Sequence, residues 1–159
     1  MISIQVLKDR HITELWEIIQ GYPEYFNDSV KMQSIEDFKS WINKDVIDCI
    51  IGVKNNEVIG CGYINSLHDG LAEINIFVKR KSVVLEDIKT VLKICLISLF
   101  KKHTLKMIYA TVRVDNKASI RLLHKMGFKI ADVLIGYEQI NGKPVDCYLA
   151  TIMAEEVGI

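Results

Sequence analysis

The chain has 159 residues, and its 20 basic and 20 acidic side chains balance to a formal net charge of zero. A chain of this length suits a single domain, residues 1–159, that can bury a core without metal or disulfide staples. The balanced charge argues against a broad nucleic-acid-binding surface. No apolar run approaches the ~20 residues that a membrane-spanning helix needs.

The four cysteines are scattered and form no Cys-x-x-Cys pair: Cys49, Cys61, Cys95 and Cys147. Disulfides and a zinc site are therefore not expected. The opening residues, Met-Ile-Ser-Ile, lack the charged and apolar regions of a signal peptide. Together these features predict a cytoplasmic protein.

Hydrophobic periodicity and turn residues divide the chain into eleven elements, of mixed α/β character. Ser34-Ile35-Glu36-Asp37 resembles a capping box, and Asn141-Gly142 is typical of a hairpin turn. In chain order, the predicted elements are a strand at 2–6, a helix at 12–20, a helix that begins after Ser34, strands at 48–54, 57–65 and 71–78, a helix at 85–102, a strand at 107–112, a helix that begins near Asn116, and strands at 129–140 and 145–153.

Two breaks interrupt this pattern. The first helix ends at Gly21-Tyr22-Pro23, and the aromatic residues Tyr22, Tyr25 and Phe26 are expected either to line a pocket or to close the end of the core. The polar run at 66–70 is expected to form a loop.

The strand at 71–78 alternates strongly, so its two faces are readily assigned. One face carries Leu71, Glu73, Asn75 and Phe77, and the other carries Ala72, Ile74, Ile76 and Val78. The long helix that follows can act as a crossover connection, so the strands at 71–78 and 107–112 are expected to be parallel and to diverge.

The segment from Asn116 to Phe128 is the most specific part of the chain: Asn-Lys-Ala-Ser-Ile-Arg-Leu-Leu-His-Lys-Met-Gly-Phe. Asp115 or Asn116 can cap the helix, because a short side-chain oxygen satisfies the first amides. Gly127 can end the helix in the left-handed conformation, with Phe128 as the apolar contact of that cap.

This segment resembles the Asn-x-x-(Ala/Ser)-Ile-x-Leu…Lys-x-Gly-Phe motif of the GCN5-related N-acetyltransferases, the GNAT superfamily. Its Ser-Ile-Arg-Leu-Leu wording is most similar to the branch that acetylates the N-termini of ribosomal proteins. The order of elements, β-α-α-β-β-β-α-β-α-β-β, is also that of the family. The resemblance implies a GNAT fold, with a mixed twisted sheet of about seven strands and four helices.

The resemblance further implies an enzyme that uses acetyl-CoA as co-substrate and requires no metal. The acyl group would pass directly to a primary amine, either of a small molecule or of a peptide N-terminus. The protein is expected to be a monomer or a homodimer, without nucleic-acid or membrane partners.

In the family, acetyl-CoA lies between the two diverging strands, and its pantetheine arm pairs with the strand backbone. The corresponding positions here are Ile76 and Val78. Asn116 matches the family asparagine that contacts this arm, although it can equally be a plain helix cap.

Basic and polar residues near the expected cofactor are further candidates for binding its charged end. They are Arg80, Lys81, Ser82 and Lys125. A solvated surface is the ordinary alternative for such residues.

Glu73 is the expected general base, because the matching strand of the family often carries a glutamate. Burial in a cleft would raise its pKa toward neutrality, which suits proton abstraction. The alternative is a surface charge. His68 is the second candidate, since an imidazole titrates near neutral pH.

Two departures from the family pattern keep other functions open. The glycine-rich loop that binds the cofactor pyrophosphate would fall on Val83, Glu86 and Ile88, and none of them matches. Glu86 and Asp87 suit a helix N-terminus but are expected to repel a phosphate there and to weaken acetyl-CoA binding.

The second departure is that Leu123 replaces the tyrosine that usually acts as general acid, with Tyr137 or Tyr148 as possible substitutes. The alternatives to an enzyme are a catalytically degenerate GNAT-fold module that only binds a partner, and a structural protein of unrelated α/β fold.

Overall fold

The computed structural model describes residues 1–22, 32–80 and 83–159. Its strands and helices follow in the order β1 (Ile2–Val6), α1 (Asp9–Gln20), α2 (Ile35–Asp45), β2 (Asp48–Lys54), β3 (Glu57–His68), β4 (Leu71–Val78), α3 (Leu85–His103), β5 (Met107–Arg113), α4 (Lys117–Lys125), β6 (Lys129–Ile140) and β7 (Lys143–Met153). A short 3-10 turn, Ala154–Val157, follows β7. This order is the one predicted.

The described strands form one seven-stranded mixed sheet in the order β1-β2-β3-β4-β5-β7-β6. Neighbouring strands are antiparallel except for β4 and β5, which are parallel as predicted. One core packs α3 and α4 against one face of the sheet, and a second core packs α1 and α2 against the other face. No helix in the described ranges is long and apolar enough to cross a membrane.

Most local signals in the sequence are realised in the structure. Ser34 and Asp37 form the reciprocal capping box, with both hydrogen bonds at 3.1 Å. Asn141 and Gly142 form the turn between β6 and β7 and both have positive φ, as a two-residue hairpin turn requires. Tyr25 and Phe26, predicted either to line a pocket or to close the end of the core, lie outside the described residues.

Strand β3 is longer than predicted, because the expected loop at 66–70 is mostly strand. Ser66, Leu67 and His68 pair with β4, and the turn shrinks to Asp69-Gly70, both with positive φ. The polar composition of this run suggests a loop, but cross-strand pairing overrides it.

Helix α1 also begins earlier than predicted, at Asp9. The Nδ1 atom of His11 accepts a hydrogen bond from the Lys8 amide at 3.0 Å and so caps the first turn. Histidine is not among the usual capping residues, which is why the sequence pattern missed this start.

Helix α3 is fastened to β2 at both ends. Near its C-terminus, Lys102 and His103 each lie 2.8 Å from the carboxylate of Asp48, the first residue of β2. Burial opposes ionisation of Asp48, but these two partners outweigh it and lower its pKa. At the other end, Asp87 pairs with Lys54, the last residue of β2.

Between these ends, α3 lies directly on the backbone of β2 at Gly52. A Cβ atom added there would lie 2.3 Å from Cγ1 of Val91, far inside van der Waals contact. The helix can approach this closely only because position 52 has no side chain.

We therefore expect Gly52→Ala to lower the free energy of unfolding by about 1–3 kcal/mol, the usual effect of overpacking. Adding Val91→Ala should restore part of this loss, because it removes the clashing methyl groups. Urea denaturation of the two single variants and the double variant measures this coupling.

Gly62→Ala is the matched control, since its Cβ would meet its nearest neighbours at 3.6 and 3.8 Å, which is ordinary contact. Equal stability of the Gly52→Ala and Gly62→Ala variants would contradict the close approach.

Candidate active site

The sheet opens where β4 and β5 part. The two strands pair only at Leu71↔Met107, Ala72↔Ile108 and Glu73↔Tyr109. Beyond this point β4 stays paired with β3, and β5 stays paired with β7. A bulge in β3 between Ile64 and Ser66 lies opposite the point of divergence, and bulges bend a strand and increase its twist.

The divergence creates an open cleft, whose empty volume of about 910 Å³ includes space open to solvent. Its walls are the free ends of β4 and β5, and the first turns of α4 form part of its lining. The lining residues are Tyr22, Ile74, Asn75, Ile76, Phe77, Val78, Ala110, Thr111, Val112, Arg113, Asn116, Ser119, Leu122, Leu123 and Glu138.

Ile76 and Val78, predicted to contact the cofactor, line the β4 wall of this cleft. Because β4 has no strand neighbour on this side beyond Glu73, part of its backbone can pair with an extended ligand. The unpaired edge of β4 in the cleft can therefore bind an extended ligand in the way that a sheet edge binds an added strand.

Tyr22 closes one end of the β4 wall. Its hydroxyl donates a hydrogen bond to the carbonyl of Val78, and its ring lies 6.1 Å from the ring of Phe77. The guanidinium of Arg80 lies 4.1 Å above the Tyr22 ring centre, in cation–π contact. Arg80 is thus held beside the cleft, whereas Lys81 and Ser82 lie outside the described residues.

The two acids at the start of α3 both have basic partners. Glu86 pairs with Lys89 at 3.0 Å and remains 74% exposed, whereas Asp87 pairs with Lys54 and is 19% exposed. These lysines offset the negative charge that the sequence places at this helix end. The repulsion expected for a phosphate is therefore reduced but not removed.

Asn116 caps α4 and also lines the cleft. Its Oδ1 accepts a hydrogen bond from the Ser119 amide at 3.2 Å. The same side chain has an NH₂ group that can donate to a ligand, so the two expected roles are compatible. Lys125 lies exposed at the opposite end of α4, outside the cleft lining.

Glu73 is in the last residue pair that joins β4 to β5, directly before the cleft-lining residue Ile74, and is not itself among the lining residues. It is half-buried, and the Thr111 hydroxyl donates a hydrogen bond to its Oε1 at 3.1 Å. Burial raises the pKa of Glu73, and the bond from Thr111 partly opposes that rise. A carboxylate with a raised pKa beside a cleft is suited to accept a proton.

The other titratable candidates, His68, Tyr137 and Tyr148, also lie outside the cleft lining. His68 is 80% exposed and pairs with Asp69 at 3.0 Å. Burial, followed by the charge of Glu73, raises the pKa of Tyr137, although half of the residue is exposed. Tyr148 packs against the core under α3 and α4.

Sequence reasoning missed Thr111, Arg113 and Glu138, which line the cleft. The alternation of β5 offers a signal for Thr111, since it shares a face with Tyr109, the cross-strand partner of Glu73. Glu138 comes from β6, at the far edge of the sheet, and no local pattern links it to the site.

A model of the family described as "Acetyltransferase (GNAT) domain" matches residues 4–149. The chain belongs to the GNAT family of acetyltransferases. This confirms the family expected from the Asn116–Phe128 segment and removes the alternative of an unrelated α/β protein. A search of curated proteins found no significant match.

Solved structures share the fold along nearly the whole chain. The spermidine N-acetyltransferase of Vibrio cholerae, in complex with CoA and spermine, has a TM-score of 0.82 at 16% identity, covering 98% of this chain and 97% of that one. A ribosomal-protein-alanine N-acetyltransferase of Brucella melitensis has a TM-score of 0.78 at 17% identity, covering 95% and 99%. The yncA protein of Salmonella typhimurium, with its cofactor acetyl-CoA, has a TM-score of 0.76 at 15% identity, covering 96% and 93%.

The two roles of Asn116 can be separated by substitution. Asn116→Ser keeps a capping oxygen but loses the amide donors, so stability should change by only about 0.3 kcal/mol. Acetyl-CoA affinity should fall about fivefold, the effect of one lost hydrogen bond. Calorimetry and urea denaturation measure the two quantities.

Asn116→Ala is the companion variant and should lose about 1 kcal/mol of stability as well as affinity. If the serine variant binds acetyl-CoA like the wild type, Asn116 is a helix cap only.

Proposed function

We propose that this protein is an acetyl-CoA-dependent N-acetyltransferase that transfers the acetyl group directly to a primary amine, of a small molecule or of a peptide N-terminus. The observation that carries this proposal is the half-buried Glu73 at the point where β4 and β5 part. A cleft with an open strand edge, and beside it a carboxylate that is bonded to the cleft-lining Thr111, has both a place for an extended cofactor and a base. Family membership supports the same reaction.

The cofactor would lie along β4, with the amides of its pantetheine arm paired to the backbone between Ile74 and Val78. Asn116 would donate to this arm from the α4 side of the cleft, since its NH₂ group is not needed for the cap. Arg80, held on the Tyr22 ring beside the cleft, would approach the cofactor's phosphates. It would offset part of the binding that the missing glycine loop supplies in the family.

The reaction would proceed by direct attack. The amine nitrogen attacks the thioester carbonyl, forms the C–N bond and gives a proton to the carboxylate of Glu73. The C–S bond then breaks, and the CoA thiolate takes a proton from solvent. A thiol is about two pKa units more acidic than an alkylammonium ion, so its thiolate departs readily even though Leu123 stands in place of the family tyrosine.

A non-catalytic binding module remains the second candidate, because the start of α3 lacks the family's glycines and carries two acids. The two functions differ in one measurement. Calorimetry with acetyl-CoA should show binding that is weaker than that of family members with an intact loop. Absence of binding at millimolar acetyl-CoA would favour the module.

Glu86→Gln tests the electrostatic reason for weak binding. It removes an exposed charge without disturbing the Asp87–Lys54 pair that fastens α3 to β2. A charge near a helix N-terminus contributes about 0.3–1 kcal/mol. The Glu86→Gln variant should therefore bind acetyl-CoA about two- to fivefold more tightly than the wild type at low salt. The gain should shrink at high salt.

Glu36→Gln is the matched control, since Glu36 is an exposed acid in the first turn of α2. Pantetheine, which carries no phosphate, should bind both variants and the wild type alike. Unchanged acetyl-CoA affinity in Glu86→Gln would remove repulsion as the explanation.

Glu73→Gln tests the base. The substitution keeps the shape of the side chain and removes its ability to accept a proton, so kcat should fall about 100- to 10,000-fold. Acetyl-CoA affinity should stay nearly constant. The pH–rate profile should change too, because the wild-type acid limb reflects a Glu73 pKa above its usual value.

Above that limb, the Glu73→Gln rate should rise with pH as more of the amine loses its proton unaided. Spermidine and a peptide with N-terminal alanine are suitable acceptors, and Glu17→Gln, an exposed position on α1, is the control. A wild-type rate below neutral pH in Glu73→Gln would show that Glu73 is not the base.

A further inference from the structure

The hydrogen bond between Thr111 and Glu73 spans the gap where the sheet opens. Glu73 and Tyr109 are the last paired residues of β4 and β5, and Thr111 is the next residue of β5 on the same face. Its Oγ1 donates to Oε1 of Glu73 at 3.1 Å. After the backbone pairing of β4 and β5 has ended, this side-chain hydrogen bond still connects the two strands.

This bond fixes one oxygen of the carboxylate and leaves the other available. Within the described part of the chain, no other side chain or amide donates to the Glu73 carboxylate. A glutamate side chain has three rotatable bonds, and a single anchored oxygen restricts them strongly. Thr111 also lines the cleft, so the residue that holds Glu73 borders the space where a cofactor would lie.

We propose that Thr111 is a positioning residue for the transfer reaction: its hydroxyl holds Oε1 of Glu73, so that Oε2 faces the acceptor amine and takes its proton. This inference rests on the proposed function. The proton moves from the amine nitrogen to Oε2, while the hydrogen of the threonine hydroxyl stays on Thr111. The same bond stabilises the charged carboxylate and so partly opposes the rise in the pKa of Glu73 that burial causes.

The tyrosines that interact with Glu73 do not titrate in the acid limb of the rate profile. Tyr63 of β3 and Tyr137 of β6 interact with it, and Tyr109 of β5 is its cross-strand partner. Burial is the main cause that raises the pKa of Tyr63 and of Tyr137 above the ordinary phenol value. Both are therefore neutral where a carboxylate titrates.

Thr111→Val keeps the branched shape of the side chain and removes the hydroxyl, whereas Thr111→Ser keeps the hydroxyl. With spermidine or an N-terminal alanine peptide as acceptor, Thr111→Val should lower kcat about tenfold and move the acid limb up by about one pH unit. Acetyl-CoA affinity should change less than about twofold, since the lost bond lies within the protein. Thr111→Ser should restore both kcat and the limb.

Thr151→Val is the matched control, because Thr151 is the β7 partner of Tyr109 and makes no hydrogen bond to Glu73. A purely structural role for Thr111 would lower stability without moving the acid limb, and that result would overturn the proposal. Should Thr111→Val fail to fold, Thr111→Ala removes the same hydroxyl without adding bulk.

A second readout needs no acceptor. The carboxyl carbon of Glu73, followed by NMR through a pH titration, should show a higher pKa in Thr111→Val or Thr111→Ala than in the wild type. An unchanged titration would overturn the proposal. Loss of rate in Glu73→Gln with wild-type kinetics in Thr111→Val would reject the role of Thr111 alone, whereas a fully active Glu73→Gln would reject the base itself.

Discussion

The brevity of the pairing between β4 and β5 is the constraint on which the site depends. Parallel strands normally satisfy each other's backbone groups along their length, but these two pair over only three residues and then separate. The strand edges that this exposes favour a ligand with its own amides, because unpaired backbone groups are costly to bury. Glu73 and Thr111 lie where the separation begins. The end of the β4–β5 pairing therefore both opens the sheet and determines where the carboxylate lies.

Helix α3 holds this opening in place. It connects β4 to β5, and it is fixed on β2 by Asp48 at one end, by Asp87 at the other and by its contact with Gly52 between them. Its first turn therefore cannot shift freely toward or away from a ligand. A comparison with the family motif would interpret Asp87 only as unfavourable for phosphate binding. In this chain, its ion pair with Lys54 also holds α3 against β2.

Patterns that depend on neighbouring residues were predictable, and contacts between distant residues were not. The alternation of β4 placed Glu73 on one face and Ile76 and Val78 on the other, and the structure keeps these faces. Thr111 was missed because its partner is 38 residues away, and the bond from Tyr22 to Val78 spans 56 residues. Pairing with β4 likewise turned the polar run at 66–68 into strand.

The sequence by itself determined the order of the elements, the cap at Ser34, a cap at Asp115 or Asn116, the hairpin at Asn141-Gly142 and the family, because periodicity, turn chemistry and motif wording are local properties. Only the tertiary structure decided where β4 and β5 part, that Thr111 meets Glu73, that His68 and Lys125 stand outside the cleft, and that the acids of α3 are paired. Each of these depends on the distance between segments that are far apart in the chain, and that distance is set by how the sheet twists and how the helices pack on it.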